Sequence, residues 1–273
     1  MIIGVLADLH IDMNDQATET SVIEALVTIS KQKKLDALIL AGDLANDYQV
    51  SLHALNQLKS SLNIPCLFVP GNHDLWNIHH PNMRTWDIYK CLESYSDNLT
   101  KSPFSLSDNW VVIGDIGWYD YKFADSSFSI NQLEEMTLNE RVWKDKHYTN
   151  WNMTYPELQT LFQQKLEKQI KLHESKNIIL VTHVVPHSNF IVPTPDHTWS
   201  YFNAFLGSPK YGELIKKYSS SIKYAISGHV HFRKTFKIDK TTYINNSLGY
   251  RKQWIHSQHV KEEIQNALLT ISL

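Results

Sequence analysis

Short apolar runs recur along the chain, each closing on a small or polar residue: IIGVLA (2–7), ALILAG (37–42), CLFVPG (66–71), WVVIGD (110–115), NIILVTH (177–183) and YAISGH (224–229). Their hydrophobicity is nearly continuous, not alternating, which predicts strands covered on both faces. Between the early runs the pattern changes period. Val22, Ile23, Leu26, Val27 and Ile29 fall near a 3.6-residue spacing, and SLHALNQLKSSL (51–62) behaves similarly. Strand, helix, strand, helix, strand predicts an α/β layered fold with neighbouring parallel strands.

Further on the pattern loosens. Residues 118–157 are aromatic-rich, polar and poorly periodic, and we expect a cap-like insertion that lies over a site. A helix resumes over 157–174, with Leu158, Leu161, Phe162, Leu166, Ile170 and Leu172 as its apolar positions. After it, RKTFKID, TTYINNSLG and ALLTISL are short strand candidates with no long helix between them, expected as hairpins or a second sheet. Repeats, low-complexity tracts and linkers are absent, so residues 1–273 are expected to form one domain.

Composition narrows the function classes. The chain is 42% hydrophobic and 20% charged with a net charge of −2, and so lacks the basic surplus of a general nucleic-acid binder. Two cysteines, Cys66 and Cys91, exclude a disulfide scaffold and suit a reducing compartment. The N-terminal run lacks a basic flank and meets an acid at once, so it reads as a first strand and not a signal peptide. Apolar runs all fall short of a bilayer span. A cytoplasmic protein, away from membranes, is the expectation; the oligomeric state is left open.

Candidate chemistry gathers at the strand ends. DLH follows the first run with Asp8 and His10, GD the second with Asp43, and GNHD the third with Asn72, His73 and Asp74; the later runs end on His183 and on GHVH, His229 and His231. Taken singly, Asp43 and Asn72 read as turn residues and His183 as a strand-end histidine. Together they are oxygen and nitrogen ligand types set where parallel strands would deliver them to one edge. Residues i and i+2 of an extended chain share a side, so Asp8 and His10, like His229 and His231, could reach one ion. Carboxylate and imidazole without thiolate suit manganese, iron or zinc. Two divalent ions against the Asp8 and Asp43 carboxylates leave about two positive charges for a bound anion and a hydroxide, which fits an in-line displacement at phosphorus. Around this set, Tyr119, Asp120 and His187 are possible substrate contacts.

The ordered series D-x-H, G-D, G-N-H-D, H, G-H-x-H, spanning residues 8–231, resembles the calcineurin-like metallophosphoesterases. The resemblance implies a four-layer αββα sandwich: two mixed sheets, helices outside, and a dinuclear site at the C-terminal strand ends. It implies that Asp8, His10, Asp43 and His231 hold one divalent ion, and Asp43, Asn72, His183 and His229 the other, with Asp43 bridging. His73 would stay off the metals and act on the substrate, a small phosphodiester or phosphomonoester attacked by a metal-bridged hydroxide. Protein serine/threonine phosphatases of the family place a second aspartate three residues after the bridging one, then arginine. GDLANDY has Asn46 there, Asp47 one later, and no arginine. The carboxylate orienting His73 is therefore expected to be Asp47 or Asp74, or to be absent. A phosphoprotein phosphatase and a non-catalytic metal-binding regulatory protein are the alternatives.

Overall fold

The computed structural model describes residues 1–15, 20–193 and 196–273. Twelve strands form among them: β1 (Ile2–Leu6), β2 (Ala37–Leu40), β3 (Cys66–Phe68), β4 (Phe104–Ser105), β5 (Trp110–Asp115), β6 (Thr137–Leu138), β7 (Arg141–Val142), β8 (Asn177–Thr182), β9 (Ile222–Ser227), β10 (Arg233–Ile238), β11 (Thr241–Asn246) and β12 (Leu269–Ser272). One sheet runs β12-β1-β2-β3 and a second β10-β11-β9-β8-β5-β4, with β6 and β7 a separate hairpin. The inner strands pair in parallel, while β12, β10 and β4 pair antiparallel to their neighbours, so both large sheets are mixed.

The continuous hydrophobicity of the runs is explained by two cores. Alternate residues of each strand point to opposite faces. Ile3, Val5, Ile39, Leu67, Val112, Ile179, Val181, Ile226 and Ile244 form a layer between the sheets. Their sequence neighbours Leu6, Leu38, Leu40, Phe68, Val111, Ile113, Ile178 and Leu180 belong to the cluster that packs under the helices. Helices Val22–Gln32, Tyr48–Leu62 and Val260–Ala267 pack together over the first sheet, and Tyr155–Leu172 with Pro209–Lys217 over the second. The fold is the four-layer αββα sandwich.

Local signals set the helix starts. Ser21 with Glu24, and Thr154 with Glu157, form capping boxes that satisfy the first unpaired N–H groups. The 155–172 helix buries Leu158, Phe162, Leu166 and Ile170, four residues apart, while Leu161 and Leu172 stay exposed. Those two were expected among its apolar positions and lie off that stripe.

Three other departures are informative. β10 and β11 form the expected hairpin, but β12 leaves the second sheet and pairs antiparallel with β1. Helix Val260–Ala267 was not anticipated. Segment 118–157 is ordered, with short helices Ile130–Glu134 and Asp145–Tyr148 and the β6–β7 hairpin. Tyr121, Met136, Asn139, Glu140 and Asn152 all have positive φ, and repeated left-handed turns erase any period.

Candidate metal centre

The strand ends deliver their side chains through strained backbone. Asp8 (φ 55°), His10 (φ 41°), Asp43 (φ 57°) and His229 (φ 70°) are all left-handed without being glycine, a conformation that costs on the order of 1–3 kcal/mol at each residue and persists where the surroundings impose it. The extended i, i+2 relation expected for Asp8 and His10 is therefore not what brings them together. Turns do it, held by Asp8 N–H to the Gly42 carbonyl (2.9 Å) and His10 N–H to the Asp43 carbonyl (3.1 Å). Glycine is required beside them: a Cβ on Gly42 would sit 2.5 Å from His183 Nδ1, and one on Gly71 would collide with the Asp43 carboxylate.

Seven side chains meet at this edge. The orientation of most is fixed from behind. His183 Nδ1 donates to the Ala41 carbonyl (2.8 Å), so its Nε2 faces inward with a lone pair. His229 Nε2 donates to the Phe205 carbonyl (3.0 Å), turning Nδ1 inward. Gln253 Oε1 already accepts from Tyr250 N–H (3.0 Å), so His231 Nδ1 donates to it (2.8 Å) and Nε2 faces inward. Asn72 donates its amide to Asp145 Oδ1 (2.8 Å), which aims Oδ1 at the cluster.

The inward atoms form two groups. In one, His183 Nε2 and His229 Nδ1 lie 3.1 Å apart, each within 3.1 Å of Asn72 Oδ1, with Asp43 Oδ2 at 3.4 Å from His183. In the other, His10 Nε2 and His231 Nε2 are 3.1 Å apart, Asp8 Oδ1 lies 3.5 Å from His231, and Asp43 Oδ2 3.9 Å from His10. Asp43 Oδ2 thus faces both groups, while its Oδ1 accepts His73 N–H (2.9 Å). Paired lone pairs at this spacing repel unless a cation or a shared proton lies between them. An all-nitrogen-and-oxygen set, with the outer nitrogens of His183, His229 and His231 tied back, fits divalent metal ions.

Electrostatics agree with that division. Burial would raise the Asp8 carboxyl, but the hydrogen bond and charge of His231, with His183 and His10, hold it far below the usual range. Burial would lower His183, yet Asp43 and Asp8 push it up to about 9. Burial and the neighbouring His183 drive His229 down to about 3, and burial with His231 drives His10 well down. The two carboxylates thus favour positive charge on His183 and His231, while His10 and His229 are pushed toward the neutral form.

His73 stands at the rim. Its Nδ1 lies 2.6 Å from Asn46 Oδ1, its ring stacks on Trp76 (centroids 3.6 Å apart), and Nε2 is 3.9 Å from Asp43 Oδ2. The expected orienting carboxylates do not touch it. Asp47 caps the Tyr48–Leu62 helix through Gln49 N–H, because it sits at the turn where that helix starts. Asp74 is buried behind the loops, accepting from the N–H groups of Asp43, Leu44, Ala45 and Gly71 and from Ser51 Oγ. It fixes the backbone that carries Asp43. Tyr119 is buried and donates to Asp145. Asp120 accepts from Lys122 N–H, and His187 accepts from Asn189 N–H and packs on Phe236 and Tyr243. None of these five lines the cavity in front of the cluster.

Three functional partners gave no motif. Asp145 accepts four side-chain bonds, from Asn72, Trp76 Nε1, Trp143 Nε1 and Tyr119 OH. Ser247 donates to Asp8 Oδ2 (2.6 Å), beside the His229 N–H that bonds both Asp8 oxygens. Asn46 replaces the expected carboxylate. A cavity of about 600 Å³ opens over the cluster, walled by Trp76, Trp143, Tyr250 and residues of the 118–157 segment.

A family model described as calcineurin-like phosphoesterase matches residues 1–233. An uncharacterized protein of Acanthamoeba polyphaga mimivirus is 22% identical over 263 residues, 91% of each chain. Among solved structures, phosphopantetheinyl hydrolase from Mycobacterium tuberculosis superposes with a TM-score of 0.69 at 18% identity, covering 92% of this chain and 90% of that one. A dimetal phosphatase from Danio rerio gives 0.55 at 14% identity, covering 99% and 91%.

Proposed function

The chain belongs to the calcineurin-like phosphoesterase family of metal-dependent phosphoester hydrolases, and from that premise we propose that it hydrolyses a phosphodiester or small phosphomonoester at the cluster described above. Asp8, His10, Asp43 and His231 would hold one divalent ion and Asp43, Asn72, His183 and His229 a second. The observation that carries the reading is the pair of inward-facing imidazole couples, each 3.1 Å apart, with most of their outer nitrogens tied back. Such ions supply Lewis acidity toward a phosphoryl oxygen and ease deprotonation of water.

The chain's own groups do the rest. Asn72, with its amide anchored on Asp145, presents an oxygen that cannot be swapped for its nitrogen without losing that anchor. His73, held at Nδ1 by Asn46, keeps Nε2 toward the cavity, where it can hold a proton against a leaving oxygen. Burial and the surrounding imidazoles depress that ring well below its ordinary pKa; an anionic ester arriving beside it favours the protonated form. Trp76 stacks on the ring and stops it rotating away.

Cys66 and Cys91 are both unpaired, which supports a reducing, cytoplasmic location. Among the described residues no helix is long and apolar enough to cross a membrane.

The test is metal stoichiometry together with turnover. Purified protein should bind two manganese, iron or zinc ions per chain and hydrolyse 4-nitrophenyl phosphate or its bis-ester, with chelation stopping hydrolysis and metal restoring it. His73→Ala should lower kcat by about 10²-fold or more with metal content unchanged. A single bound ion, or full turnover in the chelated protein, would refute the reading.

A further inference from the structure

The wall of the cavity has two ends of different chemistry. The inner end is the imidazole and carboxylate cluster. The outer end comes from the β7 turn and the segment around Trp199, and it carries two cations, Arg141 and Lys144. Among the described residues neither forms an ion pair with a carboxylate. Among the described residues the carboxylates on the lining are Asp43, which belongs to the inner cluster, and Asp145, which is buried and bonded to four side chains.

Arg141 is nevertheless held in place. Its guanidinium lies 5.0 Å over the Trp199 ring and 4.7 Å over Phe202. Aromatic faces grip the planar group and leave its N–H edges free for an anion. Between the two ends stands Trp143. Its indole N–H is fixed on Asp145, its ring stacks on Phe205 (5.5 Å) and meets His229 edge-on (5.7 Å). An apolar and aromatic span therefore joins a centre that binds one anion to a wall that offers unpaired positive charge.

We propose that this cavity selects phosphoesters whose alcohol part carries a second anionic group, a carboxylate or a phosphate, across an apolar spacer, and that Arg141 with Lys144 receives that group. The proposal rests on the phosphoester reading of the inner centre and names its substrate class.

Equilibrium binding tests it without turnover. The manganese-loaded protein is titrated with alkyl phosphates from short to long chain, each paired with the same chain ending in a carboxylate and, in a second arm, in a second phosphate; tryptophan fluorescence reports Kd. At one chain length the doubly anionic member should bind about tenfold tighter than its alkyl partner, the scale of one charge-assisted hydrogen bond. Whichever arm gives the larger ratio identifies the anion. Arg141→Gln should bring that ratio close to one, with residual alkyl phosphate binding showing the pocket intact. Lys146→Gln, whose ammonium pairs with Glu135, should keep it. A ratio near one at every length in the parent protein, or a ratio retained in the Arg141→Gln, Lys144→Gln double variant, overturns the proposal. Hydrolysis of 4-nitrophenyl phosphate separates the two readings: turnover without a ratio sinks this one alone, and a ratio without any hydrolysis sinks the hydrolase reading alone.

Discussion

Asp145→Asn keeps shape and removes one acceptor oxygen from a carboxylate that serves four donors. Oδ1 accepts Asn72 Nδ2 and Trp76 Nε1 (2.8 and 2.6 Å), and Oδ2 accepts Trp143 Nε1 and Tyr119 OH (2.9 and 3.0 Å). The new amide has two settings. With its oxygen toward Asn72 and Trp76, its NH2 faces Trp143 and Tyr119; the tyrosine hydroxyl can turn and accept, but the indole cannot. With its oxygen the other way, Trp76 is stranded and Asn72 must rotate its own oxygen away from His183 and His229. The first setting is cheaper, and it leaves one indole N–H unpaired at a cost of about 1–3 kcal/mol. Trp143 is only half-buried, which places the loss in the lower part of that range. Urea unfolding followed by tryptophan fluorescence should therefore show the variant about 1–2 kcal/mol less stable in the chelated protein. Asp145→Ala removes the Asn72 anchor itself, and there metal affinity should fall by about 10- to 100-fold, as when a ligand's outer partner is lost. A stability change under about 0.5 kcal/mol in Asp145→Asn together with unaltered metal affinity in Asp145→Ala would refute the idea that Asp145 holds Asn72 in register.

Other expectations follow from the same geometry. Gly71→Ala drives a methyl group into the Asp43 carboxylate, so metal content by elemental analysis should drop well below that of the parent; full occupancy would contradict the packing. Asn46→Asp places a charge against His73 Nδ1 and favours the imidazolium, so the alkaline limb of the kcat profile should move to higher pH; an unmoved limb would remove His73 as the proton holder. Glu263 is buried, and although burial raises its carboxyl, Arg233 and the N–H groups of His256 and Ser257 hold it below its ordinary value. Its stabilisation is therefore complete above the unfolded pKa and is lost as pH falls through the folded one. The gap in urea midpoint between parent and Glu263→Gln should be widest near neutrality and close toward pH 3; a gap that widens in acid would contradict that sign.

What the sequence disclosed and what it concealed divide along a physical line. Strands buried on both faces leave continuous apolar runs, and donor residues at their ends leave motifs, so β1, β2, β3, β8 and β9 and the seven clustered side chains were legible. The mechanism of clustering was not, because left-handed φ at Asp8 and Asp43 has no marker when the residue is not glycine. Asn46 was visible only as a departure from a pattern, and nothing local says that its amide replaces a carboxylate. Asp145 lies about seventy residues from Asn72 in a segment whose repeated left-handed turns hide any period. Asp47 looked like an orienting group because caps and catalytic acids use the same residue type at the same kind of loop. The 260–267 helix escaped notice because it spans just two turns; β12 could be read as a strand, but not to which sheet it would belong.

The cluster also draws its members from both halves of the sandwich. Asp8, Asp43 and Asn72 follow strands of one sheet, and His183, His229 and His231 follow strands of the other. Elsewhere the two sheets meet through aliphatic side chains whose contacts are non-directional, whereas at this rim they are stitched by directional bonds such as His229 N–H to Asp8 and His183 to the Ala41 carbonyl. Ions shared across that rim would act as rivets, locking the angle between the layers. Damage far away, in a helix that merely steadies one sheet, should then register first as weakened ion retention.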